Sequence, residues 1–237
     1  FTLGIEHFVP AFWSAEQAYA IVLAGLKTTA YDPNGPSDWT ADKVRDEVHL
    51  MNTHFFSTMD KKWIKEEENE ITNQAKSQYR VFATVRSWTN AVDVFSKRYI
   101  IVPIHKDDHW RVAIIALVSP VVDAAQTPST QRQPPKATVY LLDSLGKTGH
   151  DAKRTKALLK LWLNYEWEAK NGVASVAAVE DMFEVTDDMF SDCVRVSLKA
   201  PRQTDGFNCG VYVLNNIEQF LMRYDKIRDE GLFAEFF

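Results

Sequence analysis

Three short apolar runs, RYIIVPI (98–104), RVAIIALV (111–118) and TVYLLD (138–143), set the strongest limit on how this 237-residue chain folds. Each is short, apolar and rich in β-branched residues, so each reads as a buried strand. Helical signals stand on either side. The stretch SAEQAYAIVLAGL (14–26) opens on a serine suited to an N-cap, with an acid two residues later where the helix dipole favours it. A second helix is expected after Asp38, with Val44, Val48, Met51 and Phe55 along one face. Further on, DAKRTKALLKLWLNYEWEAKNG (151–172) sets Leu158, Leu161, Trp162 and Tyr165 at helical spacing and stops at Asn171 and Gly172. Another strand, CVRVSLK (193–199), precedes a last helix. Strands and helices alternate irregularly and no internal repeat is present, so the fold class expected is α+β.

The remaining segments punctuate this frame. TTAYDPNGPSD (28–38) is a loop by its Pro, Gly, Asn and Asp content. The polar, proline-containing stretch from 119 to 137 has too little apolar surface to pack, and reads as a flexible insertion within one domain spanning 1–237. The acidic cluster KEEENE (65–70) reads as a solvated helix face. Lys and Arg number 27 against 32 Asp and Glu, a net charge of -5, which removes the basic excess that a nucleic-acid partner calls for. No apolar run approaches the roughly 20 residues that span a bilayer, so no membrane partner is expected. Two cysteines make a disulfide framework improbable and point to cytosol or nucleus. A chain that opens on Phe1 is expected to be an excised domain or a processed product.

The last helix lies in QTDGFNCGVYVLNNIEQFL (203–221), where Cys209 stands at its start and Val213, Ile217, Phe220 and Leu221 share one face. A helix N-terminus is one of the settings that turn a thiol toward thiolate; a small buried core residue is the other reading of the same cysteine. A nucleophilic thiol needs a base, and the base an orienting acceptor. His109, at the entry to the run beginning near Arg111, and Asp143, closing the run from Thr138, occupy strand ends where such groups are held. A loop histidine and a turn-initiating aspartate are the plainer readings of the two. His105 and His109 are four apart but flanked by strands and preceded by Pro103, which is the wrong setting for a helical metal pair, and no metal is expected. Cys193, with no base near it in sequence, is read as structural.

Taken together, His109-Trp110, Asp143-Ser144-Leu145 and a glutamine six residues before Cys209-Gly210-Val211-Tyr212 resemble the Ulp/SENP family of cysteine proteases, which process and remove the modifier SUMO. VHLMNTHFF (48–56) and VRSWTNAVDVFSKRYIIVPI (85–104) are similar to the branch that trims SUMO chains, so the resemblance covers most of 48–221. It implies a papain-like α+β fold in which Cys209 is the nucleophile, His109 the base and then acid, Asp143 the orienting acceptor and Gln203 a donor to the oxyanion. Trp110 would wall a tunnel for the Gly-Gly tail. A second tunnel aromatic is expected at Trp13, with Trp39 as a rival. The family usually has aspartate where this chain has Asn208. The resemblance further implies cleavage of the bond after the diglycine of SUMO, no cofactor, SUMO and its conjugates as partners, a monomeric catalytic domain and a nuclear location. A protease for another ubiquitin-like modifier, an acetyl-transferring relative and a catalytically silent SUMO-binding module stand as alternatives.

Overall fold

The computed structural model describes residues 46–68, 74–118, 135–146, 150–171, 194–196 and 201–222. Five strands among them form one mixed sheet in the order β1 (Val48–Leu50), β2 (Tyr99–Lys106), β3 (His109–Val118), β4 (Lys136–Leu142) and β5 (Val194–Val196). The outer pairs β1–β2 and β4–β5 are parallel, and the central pairs β2–β3 and β3–β4 antiparallel. Four helices accompany them: α1 (His54–Glu68), α2 (Gln74–Ala83), α3 (His150–Lys170) and α4 (Cys209–Met222). None is long and apolar enough to cross a membrane.

The continuous apolar runs are explained by cover on both faces. One face, carrying Ile100, Val102 and Ile104 of β2, Ala113 and Ile115 of β3 and Val139 and Leu141 of β4, is buried under α1, α2 and α3. Phe55 of α1 meets Trp162 of α3 edge-on at 5.1 Å in that core. The opposite face packs α4, whose Phe220 lies edge-on against Tyr99 of β2 at 5.0 Å. Pro103 sits inside β2 without cost to the ladder. Met51 N–H donates to the Ile101 carbonyl, so the missing N–H of Pro103 falls on the β1 side, and β1 ends opposite Ile101.

Away from the site, three departures from the sequence expectations stand out. The helix read through Val48, Met51 and Phe55 is two elements: Val48 opens β1, and α1 starts only at His54, whose N–H is capped by Asn52 Oδ1 at 2.8 Å. Spacings of four and three residues there join a strand, a turn and a helix that all point into the core. The acidic cluster is not simply solvated, because Glu66 is buried and receives Lys62 at 2.6 Å, Ser77 at 2.9 Å and Arg80 at 3.3 Å, fastening α1 to α2. Those bonds, led by that of Lys62, hold its carboxyl below the ordinary value against the opposing effect of burial. Finally, Lys136 and Ala137, read as the end of the insertion, begin β4: Lys136 pairs with Val118, and the insertion joins neighbouring strands. The helix read over 14–26 and Cys193 lie outside the described residues.

Candidate active site

His109 is delivered by a two-residue turn. Asp107 and Asp108 both adopt positive φ (51 and 55), the backbone of a type I′ hairpin, and Lys106 pairs with His109 across it. The histidine is therefore the first residue of β3 rather than part of a loop. Its Nε2 lies 2.8 Å from Asp143 Oδ1, with both side chains largely withdrawn from solvent. An ionised carboxylate only accepts, so the Nε2 proton is the one donated and Nδ1 is left as the basic ring nitrogen.

Asp143 follows the last residue of β4 and starts a tight turn. Its Oδ1 also accepts from Leu145 N–H at 2.9 Å, its carbonyl accepts from Gly146 N–H at 3.0 Å, and Gly146 closes the turn at φ 65. The plain reading of Asp143 as a turn initiator and the sharper one as an imidazole acceptor are satisfied by one oxygen. Extending the β3–β4 register by one step sets Asp143 opposite Arg111, and the buried Arg111 Nε lies 4.0 Å from Asp143 Oδ2. Burial pushes the Asp143 carboxyl up, but the bonds from His109 and Leu145 and the charges of His109 and Arg111 outweigh it and hold the carboxyl below its usual value.

The segment before α4 is tied to the same turn. Gln203 N–H donates to the Ser144 carbonyl at 3.0 Å, Ser144 Oγ donates to Gln203 Oε1 at 2.5 Å, and Gln203 Nε2 donates to the Asp205 carbonyl at 2.7 Å. Asp205 in turn gathers the loop: Oδ1 accepts from the N–H groups of Phe207 (3.0 Å) and Asn208 (2.9 Å), and Oδ2 from the Asn208 amide (2.8 Å). The Asn208 amide, ahead of the two backbone donors, keeps the Asp205 carboxyl low. An aspartate at 208 would set two carboxylates against each other; the amide binds instead.

Asn208 then serves as the helix N-cap position, its carbonyl accepting from Tyr212 N–H at 3.1 Å. Cys209 is the first residue of α4 and is buried, so its two readings, a small buried residue and a thiol at a helix N-terminus, both describe it. Val213, Ile217, Phe220 and Leu221 are buried as their spacing requires, and α4 packs on β3, the strand that carries His109. A negative sulfur at this position lies at the favourable end of the helix dipole.

Trp110 stands cross-strand from His105, and the two rings are 4.5 Å apart at 31°. The two histidines are thus engaged separately, His105 with Trp110 and His109 with Asp143. Burial, opposed by the Asp108 charge, lowers the basicity of His105. Trp13 and Trp39 lie outside the described residues. Sequence reasoning treated Ser144 and Arg111 as turn and strand residues; only the register and the fold place them beside Gln203 and Asp143.

The sequence model for the Ulp1 protease family, C-terminal catalytic domain, matches residues 35–229. Ubiquitin-like-specific protease 1D of Arabidopsis thaliana is 25% identical over 200 residues, covering 82% of this chain and 30% of that protein. Ubiquitin-like-specific protease 1C of the same plant is 26% identical over 183 residues, covering 77% of this chain and 28% of that protein. Sentrin-specific protease 7 of Homo sapiens is 26% identical over 230 residues, covering 76% and 20%. The chain thus spans less than a third of the length of these relatives.

Proposed function

Because the chain belongs to the Ulp1 protease family, we propose that it is a thiol protease that hydrolyses the bond after the C-terminal Gly-Gly of a ubiquitin-like modifier, with SUMO as that modifier. The observation that carries this reading is the 2.8 Å contact between His109 Nε2 and the buried Asp143 carboxylate. The turn that bears this carboxylate also holds the Gln203 segment leading to Cys209. Relatives named as ubiquitin-like-specific and sentrin-specific proteases support the substrate class.

In this reading His109 Nδ1 takes the Cys209 proton, and the sulfur adds to the carbonyl carbon of the terminal glycine. The oxyanion meets the Gln203 amide and the Cys209 N–H, donors of a kind that lower such barriers by about 3 kcal/mol each. Collapse breaks the C–N bond as the imidazolium gives its proton to the departing lysine amine. Water, deprotonated by His109, then adds to the thioester, and loss of sulfur releases the modifier with a free carboxylate. These side chains complete every step, so no cofactor is invoked. Trp110 walls the passage for the diglycine tail, where any larger side chain is excluded, and Trp13 is proposed as the facing aromatic. Trimming of SUMO chains and residence in the nucleus belong to the same proposal.

The test is a panel of SUMO, ubiquitin and related modifiers carrying a C-terminal electrophile. Covalent capture of SUMO at Cys209, abolished by Cys209→Ser, is expected. Capture of a different modifier alone overturns the choice of SUMO, and capture of none overturns the protease. Chain trimming is read from release of single units from poly-SUMO, and location from imaging of the full-length protein.

A further inference from the structure

Gln203 ends in a primary amide whose oxygen and nitrogen ends have nearly the same shape. Only one of the two orientations aids an oxyanion, because the NH₂ donates to it whereas the carbonyl oxygen repels it. Gln203 is buried, so its protein neighbours bear on the choice. We infer that Ser144 is a positioning residue, which with the Asp205 carbonyl clamps this amide in the donating orientation; the inference rests on the reading of Gln203 as the oxyanion donor.

The polarity of the clamp follows from what each partner can do. The Asp205 carbonyl only accepts, so the amide end 2.7 Å from it is the NH₂. The Oε1 end then faces Ser144 Oγ at 2.5 Å, and the hydroxyl turns its hydrogen toward it. A flipped amide sets Oε1 against the Asp205 carbonyl, two acceptors with no proton between them. One amide hydrogen is held in the clamp and the second remains to be presented. Ser144 also accepts the Gln203 N–H through its own carbonyl at 3.0 Å, so backbone and side chain are fixed by one residue. Ser144 is buried, and its neighbour Asp143 holds His109. Consecutive residues of a single turn therefore orient the proton-transferring ring and the oxyanion donor.

Steady-state cleavage of a diglycine-tailed lysine amide by Ser144→Ala tests this. A kcat about 10-fold or more below wild type, with KM changed less than about 2-fold, is expected, since orientation and not docking is lost. Alkylation of Cys209 by iodoacetamide, which builds no oxyanion, keeps its wild-type rate. In a Gln203→Ala background Ser144→Ala causes no further loss, and Ser144→Thr, which keeps the hydroxyl, restores most of kcat. Wild-type kcat in Ser144→Ala, or an undiminished loss in the Gln203→Ala background, overturns the inference. A second readout needs no variant: the Gln203 side-chain amide proton bonded to the Asp205 carbonyl in the wild-type protein exchanges slowly with solvent by NMR, and its exchange at the rate of a free glutamine also overturns the inference. Wild-type protein that cleaves no diglycine-tailed amide takes the protease reading down with it, whereas an active wild type matched by Ser144→Ala removes this inference alone.

Discussion

Gln203 and Trp110 are expected to fail in different ways. On the proposed reading Gln203→Ala removes a donor used only after the carbonyl is attacked, so kcat is expected to fall by about 10² to 10³ while KM holds. If Trp110 walls the proposed passage, Trp110→Ala opens it and raises KM by about 10-fold; steady-state kinetics on one diglycine substrate separates the two, and equal losses in both parameters for Gln203→Ala count against its proposed role. Arg111 acts on pH dependence. The Asp143 carboxyl lies below its ordinary value in the folded protein, so its stabilising charge is fully present above about pH 3.9 and lost as pH falls through the lowered value. The charged side chains that act on it are His109 and Arg111, both from β3. Arg111→Gln removes one of the two, which lets the carboxyl protonate sooner and shifts the acid limb of the activity profile to higher pH. An unshifted limb in profiles carried below about pH 4 would show that the 4.0 Å separation carries no influence.

Two turns set the site, and each uses backbone that side chains resist. In the β2–β3 hairpin both central positions are aspartates with positive φ, where glycine is preferred at the second. Asp108→Gly is expected to stabilise the protein by about 1 kcal/mol and raise Tm by about 2–4 °C, read by thermal melting. The turn after β4 is the converse case. Gly146 has φ 65, and a Cβ there would meet the Arg202 guanidinium. Arg202 is exposed and free to swing aside, so backbone strain decides the outcome. Gly146→Ala is expected to cost about 1–2 kcal/mol, and adding Arg202→Ala does not recover it. Full recovery in the double variant would assign the cost to the collision. Both turns were visible in sequence only as polar punctuation between strands; the positive φ at two aspartates has no compositional mark.

For the molecule as a whole, the sequence was most legible where burial is continuous. The runs of β2, β3 and β4 announce themselves because both faces are covered, whereas the three residues of β1 are too few for any period. The ends of elements were blurred, and His109 moved from loop to strand. The order of His109, Asp143, Gln203 and Cys209 was readable, but the bonds that arrange them were not. Ser144 reaches Gln203 across 59 positions, Ser77 reaches Glu66 across 11 and Thr89 reaches Glu166 across 77, separations that no local pattern records. Glu166 gives a stability prediction at this scale. Burial raises its carboxyl despite the Thr89 bond and the Lys170 charge, so the unfolded chain ionises first and folding is disfavoured as pH rises from the unfolded value to the raised one. Glu166→Gln should gain on wild type in melts at pH 7–8 relative to pH 4; a constant difference would sink this. The pairing of Val118 with Lys136 has a practical consequence. β3 runs ten residues from His109 to Val118, so the splice point lies about 30 Å along the strand from the imidazole. A fluorescent reporter or affinity tag grafted between those two residues would leave the chemistry undisturbed, giving a handle for following the protein at work.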